Sequence, residues 1–254
     1  MPDVLSRPPG LARDAVAALH QRHDLMLLAA RVVLAVGGWA VAEIADAVTE
    51  GDGRAIEERV LLSFRVPGDT ADPIGPVAVE EAVRDLTGLG GVLLTTLATL
   101  LGAAFFLLDE RPHAASFLLG SVAGGVAVTF ALKAGFDRPR PDLVAHHMEA
   151  LSASFPSGHS ATAAVVYLTL GALIARSLPR TRLRALAMGA AVVLTLAIGA
   201  SRVYLGVHWP TDVLAGWTVG AAWALAAWLA ERSLRRRGWI EPSRTLRSPA
   251  DCGA

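Results

Sequence analysis

Residues Ser201–Asp212, with the sequence SRVYLGVHWPTD, place an Arg, a His and an Asp between two apolar stretches of the chain. Two further polar stretches, KAGFDRPRP at 133–141 and PSGH at 156–159, also adjoin apolar stretches. Charged and titratable groups in or beside membrane segments are costly, and they usually mark a functional site. We therefore expect a fold in which apolar helices bring these three stretches together.

The composition is that of a membrane protein. Apolar residues make up 53% of the 254 residues, and the mean hydropathy is +0.46. Charged residues make up 18%, against about 25% in a typical soluble domain. The formal net charge is zero, which does not favour a nucleic-acid partner. The single cysteine, Cys252, excludes an intrachain disulfide, and residues 1–20 lack the features of a removable signal peptide.

Six apolar segments approach the roughly 20 residues that a helix needs to cross a bilayer. They are residues 25–48, 88–108, 114–132, 160–175, 185–200 and 213–230. In lipid each segment must satisfy its own backbone hydrogen bonds, so we predict helices. A soluble protein that buried six such segments would need far more amphipathic helix to cover them. We therefore predict an all-α integral membrane bundle of six transmembrane helices, formed by residues 25–231.

The distribution of Lys and Arg predicts the orientation of this bundle. With both termini cytoplasmic, the inner side holds 14 of the 23 basic residues and the outer side holds 8. Four arginines within 176–184 and the RSLRRRG cluster at 232–238 give the sharpest contrast. We interpret the arginine run as a topological anchor rather than an anionic-lipid site. We expect a cytoplasmic segment at 1–24 and a basic, disordered cytoplasmic tail at 232–254.

This orientation places all three polar stretches on the extracytoplasmic side of the plasma membrane. The first outer loop, at 49–87, contains Val79, Val83 and Leu86 at helical spacing, which predicts a short amphipathic helix on the membrane surface. GDTADPIGP at 68–76 is typical of a turn-rich spacer.

Three cationic side chains adjoin the apolar segments on the predicted outer side, namely Lys133, Arg140 and Arg202. Lys133 is the only lysine in the chain, and a proline on each side stiffens the backbone around Arg140. Each cation alone could be an interfacial anchor. Arginine binds phosphate oxygens through two parallel hydrogen bonds, however, and lysine adds a point charge. Together at one membrane face, the three suit a phosphate with close to two negative charges.

The PSGH stretch predicts the start of a helix. Ser157 is a favoured N-cap residue, and Gly158 lets the backbone approach a ligand closely. The free N–H groups of the first helical turn, which contains His159, form a natural anion site. The alternative is a plain capped helix with an interfacial histidine.

His208 and Asp212 lie four residues apart at the start of the last apolar segment, where Pro210 suits the first helical position. This spacing can bring Asp212 to one ring nitrogen of His208. The contact would fix the tautomer and leave the other nitrogen as a nucleophile. The alternative is an interfacial histidine beside Trp209 and a helix-capping aspartate.

The three stretches together resemble the signature of the type 2 phosphatidic acid phosphatase superfamily, which reads KxxxxxxRP, then PSGH, then SRxxxxxHxxxD. Every position of the signature is filled in order, from Lys133 to Asp212. The resemblance covers about residues 85–231. It implies the helical core that the family shares with vanadium haloperoxidases and acid phosphatases.

The resemblance also implies a role for each matching residue. His208 would attack phosphorus to form a phosphohistidine, Asp212 would orient it, and His159 would protonate the leaving oxygen. No metal or other cofactor is used in this family. The phosphate would be bound by cations and other donors at Lys133, Arg140, Ser157, Gly158 and Arg202.

The membrane lipid phosphatase branch of the family implies hydrolysis of a lipid phosphate or diphosphate. Candidate substrates are undecaprenyl diphosphate, which we favour, phosphatidylglycerol phosphate and phosphatidic acid. One alternative is a phosphotransferase that uses the same intermediate with a lipid or sugar acceptor. Others are an enzyme for soluble phosphoesters and a non-catalytic lipid-binding protein. The two histidines argue against the last, because binding alone does not need both.

Overall fold

A computed structural model describes residues 9–144 and 153–240, with side chains from residue 27 onward. Its helices are α1 (Pro9–Glu50), α2 (Arg54–Leu62), α3 (Val77–Gly88), α4 (Val92–Leu108), α5 (Pro112–Ala134), α6 (Gly158–Ala163), α7 (Thr169–Ser177), α8 (Thr181–Tyr204) and α9 (Pro210–Arg236). An antiparallel hairpin of β1 (Arg65–Val66) and β2 (Asp69–Pro73) joins α2 to α3. The predicted helical fold is confirmed, and the hairpin replaces part of the predicted spacer.

Within the described residues, five helical stretches are long and apolar enough to cross a membrane: Leu27–Glu50, Pro112–Ala134, Gly158–Ser177, Thr181–Tyr204 and Pro210–Arg236. The third of these joins α6 to α7 through one π-helical turn, Ala164–Leu168. A sixth span arises if α3 and α4, which are bent by 52° relative to each other, count as one. The six-span prediction is met in this form, with a bent pair in place of the single segment predicted at 88–108.

The bend between α3 and α4 lies against the start of α6. A Cβ atom on Gly90 would lie 2.5 Å from the side chain of Ile198 and 3.3 Å from the carbonyl oxygen of His159. Only glycine allows this approach, so α4 begins directly beside His159. The helix predicted around Val79, Val83 and Leu86 is confirmed as α3, which packs on α8.

Helix α9 lies at the centre of the bundle and contacts α1, α5, α6 and α8. Its close approach to α6 depends on Gly216 and Gly220. Cβ atoms there would lie 2.7 Å from the carbonyl oxygen of Ser157 and 2.5 Å from that of Ala161. A side chain at either position would push the helices apart. The N-terminal ends of α6 and α9 are therefore held together, which brings the second and third polar stretches into one place.

The first and last helices extend beyond the membrane segments that the sequence predicts. Helix α1 begins at Pro9, and α9 continues through Arg236, so residues 9–24 and 232–236 are helical. Arginines in the last turn of α9 favour this extension because they interact well with the negative end of the helix dipole. The predicted tail from residue 241 onward and residues 1–8 lie outside the described residues.

Candidate active site

Five helix ends meet at one end of the bundle: the C-terminal ends of α5 and α8 and the N-terminal ends of α4, α6 and α9. Between them lies a cavity of about 580 Å³, which we call the site cavity. Six of the predicted site residues line it: Lys133, Arg140, Gly158, His159, Arg202 and His208.

The remainder of the site cavity is mostly apolar, with threonines at 95, 96, 99, 129 and 162. Val92 and Leu100 of α4 form one part of this wall, and Val126 and Phe130 of α5 form another. Val92 is 78% exposed and Phe130 is 65% exposed, so the wall continues onto the surface that lipid would cover. The site cavity thus has a cationic end and an apolar side that opens towards the membrane.

His208 is 2% exposed and is contacted through both ring nitrogens. Nδ1 lies 3.4 Å from Asp212 Oδ2 and 3.3 Å from Ser154 Oγ, while Nε2 lies 3.2 Å from Arg140 Nη1. Burial lowers the pKa of His208 to about 4; Arg140 and Arg202 lower it too, and Asp212 opposes them. The ring is therefore neutral at pH 7. When Nδ1–H donates a hydrogen bond to Asp212, Nε2 carries the lone pair, which faces Arg140 Nη1.

Asp212 is fully buried and is fixed by several donors. Its Oδ1 accepts a hydrogen bond of 2.6 Å from Arg138 Nη1. Its Oδ2 accepts one of 2.9 Å from the backbone N–H of Trp209 and another from the Ser154 hydroxyl. The predicted pair of His208 and Asp212 is therefore present, and Ser154 contacts both members. These contacts fix the carboxylate that would hold the imidazole tautomer.

A second layer of polar residues behind Asp212 was not predicted. Arg138 Nη2 donates to Glu57 Oε2 at 2.6 Å, and Glu57 also accepts from the hydroxyl and the backbone N–H of Thr211. The side chains of Arg138 and Glu57 are only 10% and 5% exposed. We call Glu57, Arg138, Thr211 and Asp212 the carboxylate network. Because Glu57 belongs to α2, this network ties the first loop to the start of α9.

Two arginines line the site cavity, and each donates a hydrogen bond to an oxygen of the protein. Arg140 Nη1 donates to the carbonyl oxygen of Val207 at 2.7 Å, and Arg202 Nη1 donates to Thr87 Oγ1 at 3.1 Å. Burial lowers the pKa of Arg140. Arg202 is 3% exposed, and its Nε has no hydrogen-bond partner within the described part of the chain. A bound anion would satisfy such buried donors.

Ser157 differs from the other predicted phosphate-binding residues, because it is not among the residues that line the site cavity. Its backbone N–H donates to the carbonyl oxygen of Asp212 at 2.9 Å, and its hydroxyl accepts from Ser160 at 2.9 Å. The close contact between α6 and α9 thus turns the N–H of Ser157 towards α9. The first turn of α6 therefore presents Gly158 and His159 to the cavity.

The sequence of this chain is similar to a known protein family and to named bacterial proteins. The family model described as PAP2 superfamily matches residues 114–236. Phosphatidylglycerophosphatase B of Bacillus subtilis is 34% identical over 144 residues, which cover 56% of this chain and 70% of that protein. Lipid A 1-phosphatase of Rhizobium etli is 30% identical over 188 residues, which cover 65% of this chain and 76% of that protein.

A solved structure also matches the fold. The crystal structure of a transmembrane PAP2-type phosphatidylglycerolphosphate phosphatase from Bacillus subtilis has a TM-score of 0.71 and 26% sequence identity. The match covers 80% of this chain and 98% of that chain. Sequence and fold thus agree, and the chain belongs to the PAP2 superfamily as a transmembrane phosphatase.

Proposed function

We propose that this chain hydrolyses the phosphate of a membrane lipid phosphate, without a metal, through a phosphohistidine intermediate. The form of the site cavity carries this proposal, because a cationic, histidine-bearing end adjoins an apolar side formed by α4 and α5. A phosphate suits the first and a hydrocarbon chain suits the second. The names of phosphatidylglycerophosphatase B and lipid A 1-phosphatase support a lipid substrate over a soluble phosphoester.

In the first proposed step, Nε2 of His208 attacks phosphorus. The N–P bond forms as the bond from phosphorus to the lipid oxygen breaks, and His159 donates a proton to that oxygen. In the second step, His159 takes a proton from a water molecule that attacks phosphorus. The N–P bond then breaks and inorganic phosphate leaves.

The surrounding groups stabilise the charges that develop in these steps. Asp212 accepts a hydrogen bond from the Nδ1–H of His208 and offsets the positive charge that the ring acquires on attack. Phosphoryl transfer spreads negative charge over three equatorial oxygens, so positioned cations supply much of the rate enhancement. These cations are Lys133, Arg140 and Arg202.

Phosphatidylglycerol phosphate is the first substrate to test, because a relative and a solved structure carry its name. Undecaprenyl diphosphate and phosphatidic acid belong in the same panel. We further propose that both termini are cytoplasmic and that the site cavity is extracytoplasmic. The excess of arginine at the other end of the helices supports this orientation.

The test measures phosphate release by the purified protein in detergent with EDTA, for each lipid phosphate and for glycerol 3-phosphate. We expect release from at least one lipid, and a loss of about 10³-fold or more in His208→Ala. His113→Ala is the matched control, because His113 is exposed at the other end of α5. Release that survives His208→Ala would refute the nucleophile. Label passed to a lipid or sugar acceptor, without free phosphate, would favour a phosphotransferase.

A further inference from the structure

A second cavity, of about 930 Å³, lies between α1, α7, α8 and α9. Helix α9 begins at the site cavity with Pro210 and ends beside this second cavity with Arg236. The two cavities therefore lie at opposite ends of the bundle. The walls of the second are largely apolar and include Val33, Met188 and Leu225. Its rim carries four arginines: Arg176, Arg184, Arg232 and Arg235. We therefore call this second cavity the arginine cavity.

The protein does not balance the charge of this rim within the residues described. None of the described residues that line the arginine cavity is acidic. Glu231, which is 4% exposed, pairs with Arg176 and lies 3.7 Å from Arg235 Nε. One carboxylate against four guanidinium groups leaves an excess of positive charge beside an apolar wall. Charge in such surroundings is costly unless an anion accompanies it.

Contacts within the protein also hold the rim arginines in place when no anion is bound. The guanidinium of Arg232 lies 5.4 Å from the centre of the Trp228 ring, and that of Arg176 lies 5.9 Å from it. Arg184 Nε donates to the carbonyl oxygen of Leu178 at 2.8 Å. Arg232 Nε is buried and has no hydrogen-bond partner in the described chain. Tryptophan contacts of this kind orient cations, and the remaining donors suit the oxygens of a phosphate.

We propose that the arginine cavity binds one anionic phospholipid from the adjoining leaflet. Its phosphate would lie on the arginine rim, and its acyl chains would lie along the apolar walls that α1, α8 and α9 provide. A lipid fits better than a free anion because the space beside the rim is apolar, and basic pockets between transmembrane helices bind anionic headgroups. Arginines that the sequence presents as topological anchors thus also form a ligand site. This proposal does not depend on which phosphate ester the site cavity hydrolyses.

The test is thermal unfolding of the full-length protein in an uncharged detergent during titration with dioleoylphosphatidylserine. Parallel titrations use dioleoylphosphatidylcholine and inorganic phosphate. A ligand that binds only the folded state raises the Tm along a saturable curve, and we expect this for phosphatidylserine alone. In Arg184→Gln/Arg232→Gln we expect the apparent Kd to rise about tenfold or more, because two charge-assisted contacts are lost.

Arg180→Gln/Arg182→Gln is the matched control. It removes the same charge from the same end of the bundle, but both side chains are exposed and outside the cavity lining. We expect its Kd to stay within about twofold of the parent value, because exposed charges that do not line the cavity contribute little. If Arg184→Gln/Arg232→Gln does not fold, the comparison uses Arg232→Gln alone, which should weaken binding, and Arg184→Lys/Arg232→Lys, which should largely retain it.

Several results would overturn the proposal. If phosphatidylcholine shifted the Tm as much as phosphatidylserine does, the rim arginines would not recognise the lipid. Equal affinities for phosphatidylserine in the rim and control variants would lead to the same conclusion. A shift with inorganic phosphate would indicate a free-anion site. A change of mass on light scattering in the rim variant would indicate a second copy of the chain as the occupant. Loss of the phosphatidylserine shift in Lys133→Gln would show that the lipid binds in the site cavity instead.

Discussion

Arg138 and Arg140 stand two residues apart in one loop, but they face different parts of the site. Arg138 donates to two carboxylates, Glu57 and Asp212, each at 2.6 Å. Arg140 lines the site cavity, donates to the carbonyl oxygen of Val207 and lies 3.2 Å from His208 Nε2. One arginine therefore belongs to the carboxylate network behind the histidine, and the other belongs to the phosphate side in front of it.

This difference shows how the loop divides structural and functional work. A buried cation that already contacts carboxylates fixes geometry, and removing it leaves uncompensated charge. A cation that lines the cavity gains most when a phosphate arrives and as charge develops in the transition state. Changes in the carboxylate network should therefore lower kcat with little change in KM. Changes on the phosphate side should alter both.

Asp212→Asn should have the largest effect. The amide keeps the shape of the side chain but removes the charge that orients His208 and stabilises its cationic form. We expect kcat to fall by about 10³–10⁴-fold, as for other histidine catalysts that lose an orienting aspartate. KM should change little. The measurement is steady-state phosphate release from the best lipid substrate.

Asp137→Asn is the control for that variant, because Asp137 is exposed in the same loop as Arg138. It should retain parent activity. A loss smaller than about tenfold in Asp212→Asn would contradict the assigned role. It would indicate that the Ser154 hydroxyl alone orients Nδ1 of His208.

The membrane architecture could be predicted because a long apolar run can satisfy its backbone in lipid only as a helix. The bend before α4 could not be predicted from the sequence, because it depends on how closely Gly90 approaches Ile198 and His159. Helix α2 was also missed. It is nine residues long, and contacts of Glu57 with the distant Arg138 and Thr211 tie it to the bundle.

The motif residues could be assigned because their spacing at helix ends is a local signal. The contacts of Glu57 and Ser154 join segments far apart in sequence, and a single Glu in a loop of mixed charge has no pattern that marks it. The sequence shows Arg138 in the RPRP stretch at 138–141, but it does not show which carboxylates contact this arginine. Ser157 shows the reverse case. Its type predicts a helix cap, whereas the contact between α6 and α9 decides where its N–H points.

Arg140→Gln tests the phosphate side of the comparison. We expect kcat/KM to fall by about 10²–10³-fold, the usual cost of removing one donor to developing charge, with KM raised as well. Arg59→Gln removes the same charge from an exposed position on α2 and should have little effect. If KM were unchanged in Arg140→Gln, Arg140 would be a structural cation like Arg138. The proposed difference between the two arginines would then be wrong.

Arg138→Gln tests the carboxylate network. The variant leaves two buried carboxylates without their cation, so we expect a loss of about 3–5 kcal/mol in the free energy of unfolding. Displacement of Asp212 should lower kcat by about 10–100-fold while KM holds. The measurements are chemical denaturation in detergent and steady-state kinetics. Glu57→Gln/Arg138→Gln should be less destabilised than the sum of its single variants, because they share one ion pair.

The pattern of kinetic constants decides the role of Arg138. A KM that rises as much in Arg138→Gln as in Arg140→Gln would mean that both arginines contact the phosphate. Stability equal to that of the parent would mean that the ion pair with Glu57 does not form in the membrane protein.

The smallest expected effect is a shift in the pKa of His208, followed by NMR of labelled histidine and assigned with His208→Gln. Because burial and two arginines lower this pKa from 6.5 to about 4, the unfolded chain takes up the proton first as the pH falls. His208 therefore reduces stability progressively as the pH falls from 6.5 towards 4. In Arg140→Gln the midpoint should move upward but stay below 6.5, since burial is the larger cause. If the midpoint of the His208 titration in the parent protein lay near 6.5, the ring would be hydrated rather than buried. Arg140 would then have no role in keeping this nucleophile neutral.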